Sequence, residues 1–312
     1  MKTKKMIVAV VAACAMLCVS CGPKEGVIAK DYKIDLIMAQ DSHYVNDAPY
    51  FSTGDYVEQD WNWDGDEMYR IDYHGGEHPY QESFFHEGNR IVRTTVPAYN
   101  IRAEYFYGTR QLEHIEVYAS DELYSYMAFV HDGQTLTDIV CHYFEVSDTN
   151  NAVLDRMSNP LRVLVGDEVA GCLEQNVAAG AKGAKDGTKS VRYKLSWNGD
   201  NPTRITCTDA EGEKVIYLTY EETDNPFYQL YGFRGLTDPI FGFGMLSRNN
   251  IRTIRMPYNR NKNQLFTYSY EYDGDAVAKR TLTYSYPSIE ALTLDSVMYK
   301  VVRTERFSYI KE

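Results

Sequence analysis

His74-Gly75-Gly76-Glu77-His78 carries the letters of the inverted zinc-protease motif, H-x-x-E-H. That chemistry needs both imidazoles on one helical face. Two consecutive glycines cost a helix about 2 kcal/mol against alanine. Pro79 follows at once, so the segment reads as a turn. Asp60-Trp61-Asn62-Trp63-Asp64-Gly65 matches the first half of a calcium loop, but Ile71 stands where the bidentate Glu belongs. The run Gly183-Ala184-Lys185-Asp186-Gly187-Thr188-Lys189-Ser190 lacks the order of a phosphate loop, and no Gly-x-Ser-x-Gly elbow occurs. Glycoside hydrolysis needs only two carboxylates opposed in space. Asp35, Asp60, Glu67 and Glu104 therefore keep a carboxylate-dependent glycoside hydrolase of the cell envelope as the alternative. No catalytic residue, metal ligand or cofactor is assigned, and the first expectation is a protein that is not an enzyme.

One residue has its own chemistry. Lys2, Lys4 and Lys5 precede an uncharged run, Met6 to Val19, shorter than the roughly 20 residues of a spanning helix. It reads as the apolar region of a signal peptide. Val19-Ser20-Cys21 resembles the lipobox of bacterial lipoproteins, with Leu17 one place further from the cysteine than is usual. Val11-Ala12-Ala13-Cys14 also fits, with a very short apolar run before it, and an ordinary signal peptide is the plainer alternative. The resemblance implies acylation at Cys21 and a chain anchored to a membrane without spanning it. Residues 1–21 are then a signal peptide, 22–30 a tether and 31–312 a single domain. The expected address is the bacterial cell envelope at the outer membrane, facing either the periplasm or the outside. Cys141, Cys172 and Cys207 remain, an odd number. They are buried thiols, or one bridge and a free thiol.

The formal net charge is −12, and removing the three leader lysines makes the remainder −15. Nucleic acid is a poor partner for such a chain, since binding it needs clustered positive charge. The hydrophobic fraction of 44% suits a globular chain, and 27 Tyr against 12 Phe favours pleated surfaces with one wet edge. Alternation supports strands. Phe266, Tyr268, Tyr270 and Tyr272 share one face, and Leu265, Thr267, Ser269 and Glu271 take the other. Six units recur, each an aromatic strand, a tight turn at Gly65, Gly88, Gly108, Gly133, Gly199 or Gly274, and a second strand.

Tyr193-Lys194-Leu195-Ser196-Trp197-Asn198-Gly199, Thr219-Tyr220, Asp224-Asn225-Pro226-Phe227 and Tyr270-Glu271-Tyr272-Asp273-Gly274 resemble YD (RHS-type) repeats. The likeness extends to a lipoprotein family of gut anaerobes built on such β-repeats, for which no enzymatic activity is established. The expected fold is mainly β, a long antiparallel meander of repeated hairpins forming a curled sheet, with short helical or loop insertions at 151–189 and 225–250. The second insertion is rich in apolar residues. Phe233, Phe241 and Phe243 are the candidate ligand-binding residues, in a segment that either plugs the sheet or closes over a pocket. The expected function is a non-enzymatic, membrane-anchored envelope lipoprotein with a ligand-binding or structural role. Its partners are the membrane and a glycan or apolar ligand.

Overall fold

Apolar and polar residues alternate along almost every strand of the computed structural model, which describes residues 33–310 apart from 66, 76–78, 89, 110, 134, 147–151, 167, 173–187, 211, 226–245, 260–261 and 288–297. The chain runs through β1 (Lys33–Val45), β2 (Ala48–Ser52), β3 (Tyr56–Asp64), β4 (Glu67–Tyr73), β5 (Tyr80–Glu87) and β6 (Arg90–Val96). β7 (Ile101–Tyr107), β8 (Leu112–Ala119), β9 (Glu122–Asp132) and β10 (Thr135–Phe144) follow. After a helical segment come β11 (Thr188–Asn198), β12 (Asn201–Asp209), β13 (Gly212–Asp224), β14 (Asn249–Asn259), β15 (Lys262–Asp273), β16 (Ala276–Pro287) and β17 (Met298–Ile310). Each strand pairs antiparallel with its neighbour, and β1 pairs with β17 from Lys33↔Ile310 to Val45↔Tyr299.

That last pairing closes the sheet. β2 and β3 lie end to end against β1, so the 17 strands fill 16 positions of one ring. The curled open sheet expected from the repeats is corrected to a closed barrel. Closure pairs the two strands that a meander would leave as exposed edges. The assignment to the YD-repeat lipoprotein family is corrected with it, because those hairpins are staves of one barrel.

The six turn-centred units are present, and the structure shows what repeats in them. At each, an aromatic residue or histidine faces one residue of the next strand across a β-bulge. Trp63 faces Met68, His86 faces Ile91 and Tyr107 faces Leu112. His131 faces Leu136, Trp197 faces Pro202 and Tyr272 faces Val277. In every case one extra residue, such as Tyr69 or Val92, is displaced from the ladder. Gly65, Gly88, Gly133, Gly199 and Gly274 take φ between 57° and 64°, the left-handed region that favours glycine. Gly108 is not among the residues of positive φ.

These aromatics also latch successive hairpins. Trp63 donates to the Ile34 carbonyl at 2.7 Å, Tyr107 to that of Ile91 at 2.8 Å and Trp197 to that of Leu136 at 2.7 Å. Tyr309 reaches the Val277 carbonyl at 2.7 Å, and His86 Nε2 lies 2.8 Å from the Met68 carbonyl. A carbonyl only accepts, so that imidazole nitrogen carries the proton. Strand directions put all six glycine turns, Lys33 and Ile310 at one end of the barrel, here the turn end.

The first insertion enters the barrel. Helices α1 (Ala152–Met157) and α2 (Leu161–Val165) and a further turn at 168–172 bury Val153, Leu154, Met157, Leu161 and Leu164. Wall tyrosines hold this plug from separate arcs of the ring. Tyr124 of β9 donates to Asp155 at 2.8 Å, Tyr143 of β10 to the Ser158 carbonyl at 3.2 Å and Tyr284 of β16 to Glu168 at 2.7 Å. A sheet of this circumference leaves room for such a filling.

Candidate functional site

The two faces of the wall differ in chemistry. Inward positions carry Ile71, Phe84, Ile115, Met127, Leu195, Ile254 and Phe266, each at most 5% exposed. Outward positions between them carry Arg102, Glu104, Lys194, Arg204 and Glu271. The side chains of Arg192 and Glu271 are 59% and 69% exposed. A charged residue on a lipid-facing barrel wall costs about 2–4 kcal/mol at the membrane midplane. The outward face of this wall therefore carries charge, and its inward face is mainly apolar.

Inside, a polar centre interrupts the apolar lining where β1, β3, β16 and β17 meet. Arg303 is its hub. Its Nη1 lies 3.3 and 3.2 Å from the two oxygens of Asp41 and 3.2 Å from the Tyr56 hydroxyl. Nη2 lies 3.0 Å from Glu58, and Nε 3.3 Å from Glu305. Arg280 donates to the other oxygen of Glu305 at 2.6 Å, and Tyr56 donates to Asp41 at 2.6 Å. Burial disfavours charge on Glu58 and Glu305, and the guanidiniums offset it unequally. Burial would raise the Glu305 pKa, but Arg280 and Arg303 outweigh it and hold the carboxyl below the usual range. Burial raises Glu58, Arg303 opposes, and the neighbouring charge of Glu305 adds to the rise. The two carboxyls are thus pushed in opposite directions, Glu58 up and Glu305 down.

A second centre joins plug to wall. The Arg156 guanidinium lies 4.2 Å from the centroid of the Tyr73 ring, which stacks on Tyr80 at 4.6 Å. Tyr73 donates to Glu82, a fully buried carboxylate, at 3.4 Å. Arg162 is 2% exposed, and its Nη1 donates to the Arg156 carbonyl at 3.0 Å. Burial raises the Tyr73 phenol, and Glu82 adds to the rise.

The carboxylates picked out in the sequence are not brought together. Asp35 is exposed on β1, and Glu67 is exposed at the start of β4. Glu104 points out from β7 toward Arg93 and Arg102. Asp60 lies in β3, so the first half of the calcium-loop pattern is extended strand. His74 and Gly75 form a bend after β4, and Gly76 to His78 lie outside the described residues. Cys21, Phe233, Phe241 and Phe243 also lie outside them. Cys141, Cys172 and Cys207 are free thiols. The pair that does oppose in space, Glu58 and Glu305, was missed, since no local motif joins β3 to β17. The latching residues Trp63, His86, Tyr107 and Trp197 were legible, each standing one or two places before a turn glycine.

The fold and its two faces define a closed antiparallel barrel with a charged outer wall and a plugged, mainly apolar lumen. Among solved structures, the chain is similar to a porin-like protein from Bacteroides vulgatus ATCC 8482, at 11% identity and a TM-score of 0.47, over 90% of this chain and all of the other. A porin-like protein from Bacteroides uniformis ATCC 8492 shows 9% identity and a TM-score of 0.37, over 89% of this chain and 98% of the other. No family model matches, and no curated protein matches.

Proposed function

We propose that this protein is a non-enzymatic barrel of the bacterial cell envelope, held at the outer membrane by lipid on Cys21, that binds or scaffolds in water instead of conducting through a bilayer. The polarity of its two faces carries the reading. A conducting membrane barrel puts apolar residues outward and polar residues inward, and here Lys194 and Arg204 face out while Leu195 and Ile205 face in. The plug supports it, because Arg156, Asp155, Ser158 and Glu168 are tied to the wall. The hydrolase reading is weaker. Both oxygens of Glu305 and of Asp41 are engaged by arginine, so these two carboxylates of the lumen centre are committed to ion pairs.

The test is Cys21→Ser in the full chain. The variant should leave the membrane fraction and keep a strand-dominated circular dichroism spectrum without detergent, and the wild-type protein should add no conductance to planar bilayers. A variant that stays in the membrane and needs detergent to remain folded would overturn the proposal.

A further inference from the structure

Charge is unevenly placed on the outer wall. The chain has a formal net charge of −12, yet β11–β14 carry Arg192, Lys194, Arg204, Arg252 and Arg255 at exposed positions. Fewer acids stand beside them. Asp138 pairs with Arg192 at 2.8 Å, Glu213 lies 3.6 Å from Arg204, and Glu221 follows on β13 toward the turn end. Lys194, Arg252 and Arg255 have no ion pair with a described residue.

Register gathers these cations. Arg204 faces Tyr217 and Tyr217 faces Arg255, so the three form one row across β12, β13 and β14. The Arg255 guanidinium lies 4.8 Å from the centroid of the Tyr217 ring, which is 43% exposed. Contact with a ring uses one face of a guanidinium and leaves its N–H edge available. That edge matches the two oxygens of a carboxylate. One row nearer the turn end, Thr219 faces Thr253, Thr253 faces Thr267 and Thr267 faces Thr283, one hydroxyl per strand at roughly 4.8 Å. Ser269, Thr281 and Thr304 form a second such row over β15–β17. The cations therefore stand at one end of an uncharged track of hydroxyls.

This order of groups selects among ligands. A nucleic acid carries a phosphate at every unit, about 3.4 Å apart along a strand, and would set most of them on hydroxyls. A flat bilayer would touch a barrel wall along only a strand or two. A neutral glycan would leave the guanidiniums without a counter-charge. A sugar chain with carboxylates meets both, its hydroxyls on the threonines and a carboxylate on the guanidiniums.

We propose that the outer face of β12–β16 binds an acidic polysaccharide, with a carboxylate at the Arg204–Tyr217–Arg255 row and neighbouring sugar hydroxyls along the threonine row. The proposal rests on the reading above that this wall faces water.

Isothermal titration of the full chain carrying Cys21→Ser decides it, with a galacturonate hexamer as ligand, maltohexaose as the neutral probe and a thymidine oligonucleotide as the other polyanion. The galacturonate should bind saturably, and more weakly as sodium chloride is raised. Arg204→Gln and Arg255→Gln should each weaken it about tenfold, an energy of about 1.4 kcal/mol. Thr267→Val should weaken it about threefold. All three positions are exposed, so the melting curve should not move. Arg102→Gln on β7, where the guanidinium also lies over a tyrosine but is paired with Glu104, should leave binding unchanged. A protein that stays folded only in detergent would overturn this proposal together with the water-facing reading. A soluble protein with no saturable galacturonate binding, with binding lowered as much by Arg102→Gln, or with maltohexaose or the oligonucleotide bound as tightly, would overturn this proposal alone.

Discussion

Replacing Arg303 with methionine removes the hub of the lumen centre and leaves Asp41, Glu58 and Glu305 with Arg280 as the guanidinium bonded to Glu305. Breaking a buried ion pair from one side costs about 3–5 kcal/mol, because the remaining charges stay out of water. The side chains here keep 12–20% of their surface exposed, which argues for the lower figure. In a chain of this size 1 kcal/mol moves the melting temperature by roughly 2–4 °C, so the loss should be about 6–12 °C. The sign of the pH dependence separates this account from simple loss of packing. Burial already raises the folded pKa of Glu58 and Arg303 opposes that rise, so without Arg303 it should lie further above its unfolded value. The variant's deficit is then largest above that folded value and shrinks as protonation relieves the repulsion. In the wild-type protein Glu305 is held low, so its contribution is present above the ordinary carboxylate range and is lost as pH falls through its folded value. The two melting temperatures should therefore converge from neutral pH to a pH at the upper edge of the ordinary carboxylate range, in thermal denaturation followed by circular dichroism. A shift under about 2 °C, or an equal deficit at both pH values, would refute the reasoning.

Gly133→Val should cost about 1–2 kcal/mol, through backbone strain alone, since φ is +61° and a Cβ meets nothing within 4 Å. Gly171→Ala, in the helical turn at 168–172 with equally open space, should gain up to about 1 kcal/mol, and urea midpoints of the two variants should move in opposite directions. Tyr107→Phe removes the latch to the Ile91 carbonyl and should cost about 1 kcal/mol, read from the same unfolding curves.

Local features were legible and closure was not. Trp63-Asp64-Gly65, His86-Glu87-Gly88 and Trp197-Asn198-Gly199 announce hairpins within three residues, because ring, turn and positive φ are all local. Nothing near Lys33 announces Ile310, whose pairing turns a meander into a ring. The helical spacing around Val169 and Cys172 points to a helix, and 168–172 is one. The apolar residues of α1 and α2 show that this insertion is buried, but not that it is buried inside a barrel. The lumen centre was invisible for the same reason. Asp41, Glu58, Arg280, Arg303 and Glu305 look like ordinary surface charges until β1 meets β17.

The adjacency of Lys33 and Ile310 makes the order of the strands arbitrary in a physical sense. Lys33 and Ile310 lie at the end of the barrel where the glycine hairpins gather, and several of these hairpins latch to the one before by a ring-to-carbonyl bond. A loop joining the ends and a cut at Gly199 would preserve every ladder and every latch. Such a ring can also grow or shrink by whole hairpins, because a unit such as the one at Trp63 or Trp197 brings its own bulge, turn and ring donor. Circular permutation and hairpin duplication are therefore the changes of topology that this architecture tolerates most readily.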